Sequence, residues 1–509
     1  MSQYSPKIDV LLLLEGTFPF VSGGVSSWVN QIICGFPELK FGVIFLGSRR
    51  QDYGEMKYAI PSNVVHMETH YLHDTPAPPP IREHKGDPEV FKTVAAAHSY
   101  CQYSHTPGKM EDAYTAMLDQ LIDGRLSLDT FLHSKESWDY TCEQYRARST
   151  DPSFVDYFWT VRAMHVPIWM LKDIAANAPP ARIYHTISTG YAGLLGTLLK
   201  RRTGQPLLLT EHGIYTKERK IDLFQSEWIK DNRNIFQRES TQISYFRHIW
   251  IRFFEVLGLS CYHSADYIVA LYEINRQRQI HDGAPPDRTR NIPNGVDFDK
   301  LSLLREERPV ATPKVLGLIG RVVPIKDIKT FIRAMRTVIN QIPEAEAWIA
   351  GPDDEAPEYA EECRNLVTSL GLTDRVKFLG FQNIDELLPK IGLLVLSSIS
   401  EALPLALLEG FAAGVPAIST DVGSCRQLIE GFGAEDQALG AAGRVVGVAD
   451  PQALAAAAIS LLDDETRWKS AQTAGIARVE RYYTHEHMFS AYRALYQEAL
   501  AQSRQQEAS

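Results

Sequence analysis

A chain of 509 residues is longer than one hydrophobic core serves and suits two domains of ordinary size. Its 45% hydrophobic and 22% charged residues are those of a globular protein, which excludes a disordered or fibrous chain. The net charge of −10 lacks the basic balance of a nucleic-acid binder, and the short runs Arg49-Arg50 and Lys200-Arg201-Arg202 read as solvated helix or loop ends.

Near the start, Val10 to Leu14 is a brief apolar run between Asp9 and Glu15 without a small-residue cleavage pattern, so it reads as a strand and not a signal peptide. Ile8 to Leu14, Lys40 to Leu46, Val64 to Met67, Arg182 to Ile187, Pro206 to Thr210 and Asp266 to Leu271 all carry strand patterns, with longer amphipathic stretches between most of them. That alternation predicts a parallel sheet covered by helices. The Pro-rich stretch Thr75 to Pro80 opens a region reaching about Asn177 with helical patterns and no strand, which reads as a helical insertion. Lys217 to Leu257, rich in Trp, Phe and Arg, also reads as helical.

A linker is expected in the Pro-rich segment near 285 to 313, after which strands return at Lys314 to Ile319, Glu346 to Ala350, Arg375 to Leu379, Leu393 to Leu396 and Pro416 to Ser419. Met488, Tyr492, Leu495, Tyr496 and Leu500 fall at helical spacing and predict a closing helix. The expected fold is therefore α/β with two doubly wound, Rossmann-like domains. The first spans residues 1–290 with an insertion at about 75–177; a linker covers 291–313, the second domain 314–482, and a closing helix at 483–509 can return to the first domain. No apolar stretch approaches the roughly 18 residues of a membrane span. Six cysteines without paired metal-ligand spacing fit a reduced, cytoplasmic compartment.

Four elements carry chemistry. In Gly320-Arg321-Val322-Val323-Pro324-Ile325-Lys326, at the end of the second domain's first strand, Arg321 and Lys326 can converge on a diphosphate, or be solvated loop charges. Ser400-Glu401-Ala402-Leu403-Pro404-Leu405-Ala406-Leu407-Leu408-Glu409 follows another strand end. A helix starting around Pro404 leaves the amides of Leu405 and Ala406 free for an anion, with Glu401 just before it. Glu409, deeper in that apolar helix, can accept hydrogen bonds from two ribose hydroxyls, or sit in a buried ion pair. Gly23-Gly24, between the first strand and first helix, lets backbone amides approach a phosphate or sugar, or makes an ordinary turn. His212, in Thr210-Glu211-His212-Gly213-Ile214-Tyr215, can hydrogen-bond a sugar hydroxyl from a strand end, or be structural. Gly190-x-x-Gly193-x-x-Gly196 lacks a dinucleotide fingerprint's first turn and reads as close helix packing. His485 and His487 flank Glu486 with no further ligand, and no metal is assigned.

In this order on these strand ends, the four elements resemble glycosyltransferase family 4 over nearly the whole chain. Most specific are the glutamates Glu401 and Glu409, with seven residues between them, followed by Gly410-Phe411-Ala412-Ala413-Gly414-Val415-Pro416 and Thr420-Asp421-Val422-Gly423-Ser424. Asn294-Gly295-Val296-Asp297 is similar too, and the opening Leu13 to Trp28 and the segment Glu211 to Thr216 look like the glycosyltransferases of Pel exopolysaccharide systems. The resemblance implies a GT-B fold whose domains face a cleft, and retaining transfer from a UDP-sugar to a glycan acceptor without metal or other cofactor. It implies Arg321 and Lys326 as a diphosphate clamp, Glu409 as ribose ligand, Glu401 facing the donor sugar, His212 near the reacting sugar and Gly24 near the phosphate. Docking to inner-membrane Pel export proteins is implied as well. Asp327 and Pro404 depart from the pattern, standing where many members have glycine. The rivals are a sugar-nucleotide epimerase of the same fold and a non-catalytic UDP-sugar-binding scaffold.

Overall fold

The structure, a computed structural model, describes residues 8–74, 84–103, 112–226, 228–233 and 243–508. Thr75 to Pro80 lies outside the described residues. The chain divides into two compact units, Met1–Asn291 with Arg493–Ser509, and Ile292–Tyr492.

The first unit holds a seven-stranded sheet of β1 (Ile8–Glu15), β2 (Phe41–Gly47), β3 (Val64–Tyr71), β4 (Ala181–Thr186), β5 (Leu207–Glu211), β6 (Tyr267–Ala270) and β7 (Thr289–Asn291). The order is β3-β2-β1-β4-β5-β6-β7, and every pairing is parallel. A parallel sheet covered on both faces needs strands that are apolar throughout, and Val10 to Leu14 are fully buried. The chain order reverses between β1 and β4, which makes the C-terminal ends of these strands the place where such sheets bind ligands.

The expected insertion is helical among the described residues: Pro88–Tyr103, Asp112–Ile122, Leu128–His133, Lys135–Arg148 and Phe154–Asn177. Serines at 127, 134 and 153 cap three of these helices by accepting from an amide three residues on. The insertion shares one core with the sheet, since Leu118, Trp169 and Leu171 are buried in the same cluster as Leu11 and Leu209. The described residues of Lys217 to Leu257 fall largely on the helices Tyr215–Gln225 and Tyr245–Ser264. Gly193 and Gly196 lie in the helix Tyr191–Thr203, where a Cβ would come within 2.8 Å of Ser188 O and 2.7 Å of Leu207 Cδ1.

The second unit has β8 (Val315–Ile319), β9 (Glu346–Ala350), β10 (Val376–Gly380), β11 (Leu393–Leu396), β12 (Ala417–Thr420) and β13 (Gly443–Val446). They run parallel in the order β10-β9-β8-β11-β12-β13, with the reversal between β8 and β11. The helix Ile328–Gln341 shows how sequence makes a layer: Ile328, Phe331, Ile332, Met335 and Val338 recur at helical spacing and are buried. The segment expected as a linker is more structured than its composition suggested. It begins beside β7 and contains a short helix, Phe298–Leu303, capped by Asp297. The last helix runs His485–Ala508, and from Arg493 onward it belongs to the first unit, where Tyr496 OH meets His185 Nδ1 at 2.9 Å.

Candidate functional site

In the second unit the charged candidates fall on loops that leave β8 and β11, the two strands flanking the sheet's reversal. Lys326 Nζ lies 2.5 Å from Glu401 Oε1, and Ser398 donates its hydroxyl to the same oxygen at 2.6 Å. The two loops are stitched further by Ile399 N to Ile325 O at 2.8 Å and Ser397 Oγ to Lys326 O at 2.8 Å. Arg321 instead pairs with Glu355 from the loop after β9, and both side chains are more than half exposed. The structure thus joins Lys326 to Glu401 and gives Arg321 a different, solvent-facing carboxylate.

The helix expected around Pro404 spans Leu405–Ala412, so Pro404 is its N-cap and Leu405 its first residue. Neither the Leu405 nor the Ala406 amide donates to a backbone carbonyl among the described residues. Leu407, Leu408, Gly410, Phe411 and Ala412 are buried, whereas Leu405, Ala406 and Glu409 form the less buried stripe. Residues three and four apart share a helix face, which sets Glu409 beneath the two free amides. No ion pair involving Glu409 is found among the described residues. Burial chiefly, then the Asp385 charge, holds its pKa up, and Lys300 opposes them. Lys300 itself is bound to Asp385 at 2.5 Å.

The two departures from the family pattern have physical explanations. Asp327 adopts the left-handed conformation, φ 43°, that elsewhere favours glycine, and its carboxylate accepts from Thr330 N to cap the following helix. Pro404, extended at φ −74°, needs no donor at its position.

In the first unit, the helix Gly24–Gly35 starts at Gly23, and a Cβ at either Gly23 or Gly24 would meet no protein atom within 4 Å. Packing inside the unit therefore does not demand glycine there. The same helix carries Trp28, whose ring meets His212 edge-on at 4.7 Å. His212 follows β5; burial drops its pKa to about 4, and its Nε2 is buried with no hydrogen-bond partner. Next to it, the Glu211 carboxylate accepts from Tyr262 OH at 2.6 Å, Gln279 Nε2 at 3.0 Å, Tyr215 N at 3.1 Å and Thr189 Oγ1 at 3.4 Å. Burial raises its pKa to about 7.

Ser398, Glu355, Asp385 and the anchoring role of Glu211 were not singled out from the sequence. A signal existed for the first three, since each lies within eight residues of a strand's C-terminal end. Among the described residues, no group of three or more His, Cys, Asp or Glu is placed to hold a metal, and no helix is long and apolar enough to cross a membrane.

Two parallel-sheet, Rossmann-like domains, the second with charged loops at its sheet reversal, define the GT-B class. The structure resembles that of Anabaena HepE, solved with UDP and glucose, with a TM-score of 0.55 and 15% identity over 96% of this chain and 99% of that one. Residues 300–478 match the family Glycosyl transferases group 1, and residues 8–287 match the domain of unknown function DUF3492. The second match covers more than half of the chain, which belongs to the DUF3492 family. Similar proteins include the lipopolysaccharide core biosynthesis mannosyltransferase LpsB of Rhizobium meliloti (strain 1021), 30% identical over 203 residues, 39% of this chain and 56% of that protein. N-acetyl-alpha-D-glucosaminyl L-malate synthase of Bacillus anthracis is 30% identical over 203 residues, 40% of this chain and 50% of that protein. The chain spans about half the length of these two relatives.

Proposed function

We propose that the chain is a retaining, metal-independent glycosyltransferase that moves a hexosyl unit from UDP-glucose or a UDP-N-acetylhexosamine to a growing polysaccharide. The observation that carries this reading is the shared helix face of Leu405, Ala406 and Glu409, preceded by Glu401 bound to Lys326. One short segment offers donors for a diphosphate, a carboxylate for a ribose and a carboxylate for a sugar. The UDP bound in HepE and the glycosyltransferase match over residues 300–478 support the choice of leaving group and reaction class.

In this reading the bond from the sugar's anomeric carbon to the diphosphate breaks and UDP departs with the electron pair. The acceptor hydroxyl attacks from the face UDP leaves, and a phosphate oxygen takes its proton, so configuration is retained. No carboxylate pair flanking the bond is needed, unlike a retaining hydrolase. Arg321, Lys326 and the amides of Leu405 and Ala406 offset the charge that gathers on UDP, where fixed positive groups contribute most. Neutral His212 offers its unpartnered Nε2 to a sugar hydroxyl.

The finer assignment rests on the opening segment Leu13 to Trp28 and on Glu211 to Thr216, which are similar to PelF, the cytosolic glycosyltransferase of Pel exopolysaccharide systems. On that likeness the product is Pel-type exopolysaccharide, the location cytoplasmic, and the partners inner-membrane export proteins.

Isothermal titration with UDP-sugars, together with UDP-release assays, tests the site. Glu409→Ala removes two hydrogen bonds to a charged acceptor, at about 1.5 kcal/mol or more each, and should weaken UDP-sugar binding at least tenfold. Arg321→Ala should weaken it less, and more so at low salt. If neither substitution weakens binding, the assignment is wrong. Transfer to a glycan, against an epimerised nucleotide sugar or unchanged ligand, separates this reading from its rivals.

A further inference from the structure

The two oxygens of the Glu401 carboxylate are treated differently. Oε1 takes both the Lys326 ammonium, at 2.5 Å, and the Ser398 hydroxyl, at 2.6 Å. Oε2 has no donor among the described residues, and it is not one of the unit's sealed, partnerless oxygens, as those of Asn294 and Ser424 are. One oxygen is filled from inside the protein, and the other is left open.

The donors that make this difference are themselves fixed. Ser398, buried just beyond β11, has its carbonyl tied to β12 by the Thr420 hydroxyl at 2.6 Å. The Lys326 carbonyl, on the loop that leaves β8, accepts from Ser397 Oγ at 2.8 Å. The Glu401 backbone is held as well, since Ser424 N donates to the neighbouring Ala402 carbonyl at 2.9 Å. A glutamate's last torsion is broad, so a carboxylate gripped at one point turns readily, whereas two donors from different elements set its plane. The ammonium alone could not do this, because its three donors sit on a flexible stem and can lie across both oxygens.

We propose that Ser398 is a positioning residue for the transfer reaction. It keeps Glu401 turned with Oε1 towards Lys326 and Oε2 outward, as the acceptor for a hydroxyl of the donor sugar. This rests on the reading that Glu401 faces that sugar. Without the Ser398 hydroxyl the carboxylate rotates, Lys326 spreads over both oxygens, and the sugar loses its acceptor.

The test compares two ligands on the full chain by isothermal titration: UDP, and whichever of UDP-glucose, UDP-N-acetylglucosamine and UDP-N-acetylgalactosamine wild type binds most tightly. UDP lacks the sugar and serves as the internal control. Ser398→Ala should leave UDP affinity within about twofold of wild type, weaken UDP-sugar binding about fivefold or more, and lower kcat/KM for UDP release about tenfold, as befits a hydrogen bond to a charged group. Ser398→Cys keeps the volume but offers only a weak donor, so it should follow Ser398→Ala. In a Glu401→Ala background, Ser398→Ala should not change the ratio of the two dissociation constants further. If Glu401→Ala leaves that ratio at its wild-type value, or wild type binds none of the three UDP-sugars, the sugar-facing role of Glu401 falls and the positioning role with it. If Glu401→Ala raises the ratio but Ser398→Ala does not, the positioning role alone is overturned. Additive effects of the two substitutions, an equal loss of UDP binding, or Ser398→Cys behaving as wild type overturn it in the same way.

Discussion

Glu211 offers a test of how buried charge is handled beside His212. Its carboxyl is almost wholly removed from solvent at the end of β5, and desolvation lifts its pKa from 4.5 to about 7 despite the donors aimed at it from Tyr262, Gln279 and Tyr215. Between those two values the folded chain keeps a proton that the unfolded chain has released. Folding stability is therefore greatest, with respect to this group, below the unfolded pKa, and it falls as pH rises through the folded one. The gap between 4.5 and about 7 corresponds to about 3 kcal/mol, lost once pH has passed the upper value. Glu211→Gln should remove that loss. The new amide can be accommodated because Gln279 Oε1 is buried without a partner and can accept from it once the Gln279 amide turns over. Urea unfolding, followed by tryptophan fluorescence at a series of pH values, should find the variant and wild type alike near pH 4, with the variant more stable by up to about 3 kcal/mol near pH 8. His212 and His185, with pKa values lowered to about 4 and about 3, act in the opposite direction by favouring the folded state as pH rises to the usual histidine value. They are present in both proteins and cancel in the difference. A difference that is flat with pH, or a variant less stable at pH 8, would refute the reasoning and mean that the hydrogen bonds hold Glu211 ionised.

Gly423 has φ +54°, and a Cβ there would stand 2.2 Å from the Glu401 carbonyl oxygen and 2.6 Å from that of Ala402. Gly423→Ala should cost roughly 1–3 kcal/mol of stability through backbone strain. Because it displaces the Glu401 loop, it should also lower UDP release from a UDP-sugar at least tenfold, so thermal unfolding and turnover are measured on the same preparation. Asp327→Gly relieves a left-handed conformation worth about 1 kcal/mol and gives up a cap that exceeds glycine's by a few tenths. The urea midpoint should move little. Asp327→Val keeps neither the cap nor an easy backbone and should lower that midpoint clearly.

What could be read from the sequence follows from how local each feature is. Central strands such as β1 and β11 are buried on both faces and show as unbroken apolar runs. β7 and β13 are edge strands, half exposed at Thr289–Asn291 and Gly443–Val446, and such short mixed segments look like loop. Arg321, Lys326 and Glu401 could be picked out as candidates because they follow strands closely, and Glu409 because it is a carboxylate in an otherwise apolar helix. Their partners could not. Glu211 is held by Tyr262 and Gln279, 51 and 68 residues further on, and nothing in the intervening sequence records that they meet.

The pairing of the charges also changes what the two cations can do. From the sequence, Arg321 and Lys326 look like one clamp five positions apart. In the structure Arg321 shares an exposed pair with Glu355, which water and salt weaken to a fraction of a kcal/mol, so the guanidinium can exchange that carboxylate for a phosphate at little cost. Lys326 and Glu401 are mostly buried together, and separating them leaves a poorly solvated charge behind. Lys326 is therefore bound to the carboxylate proposed to face the sugar, and the two act as a unit. In the proposed reaction, Arg321 is the cation that can follow the diphosphate as it departs.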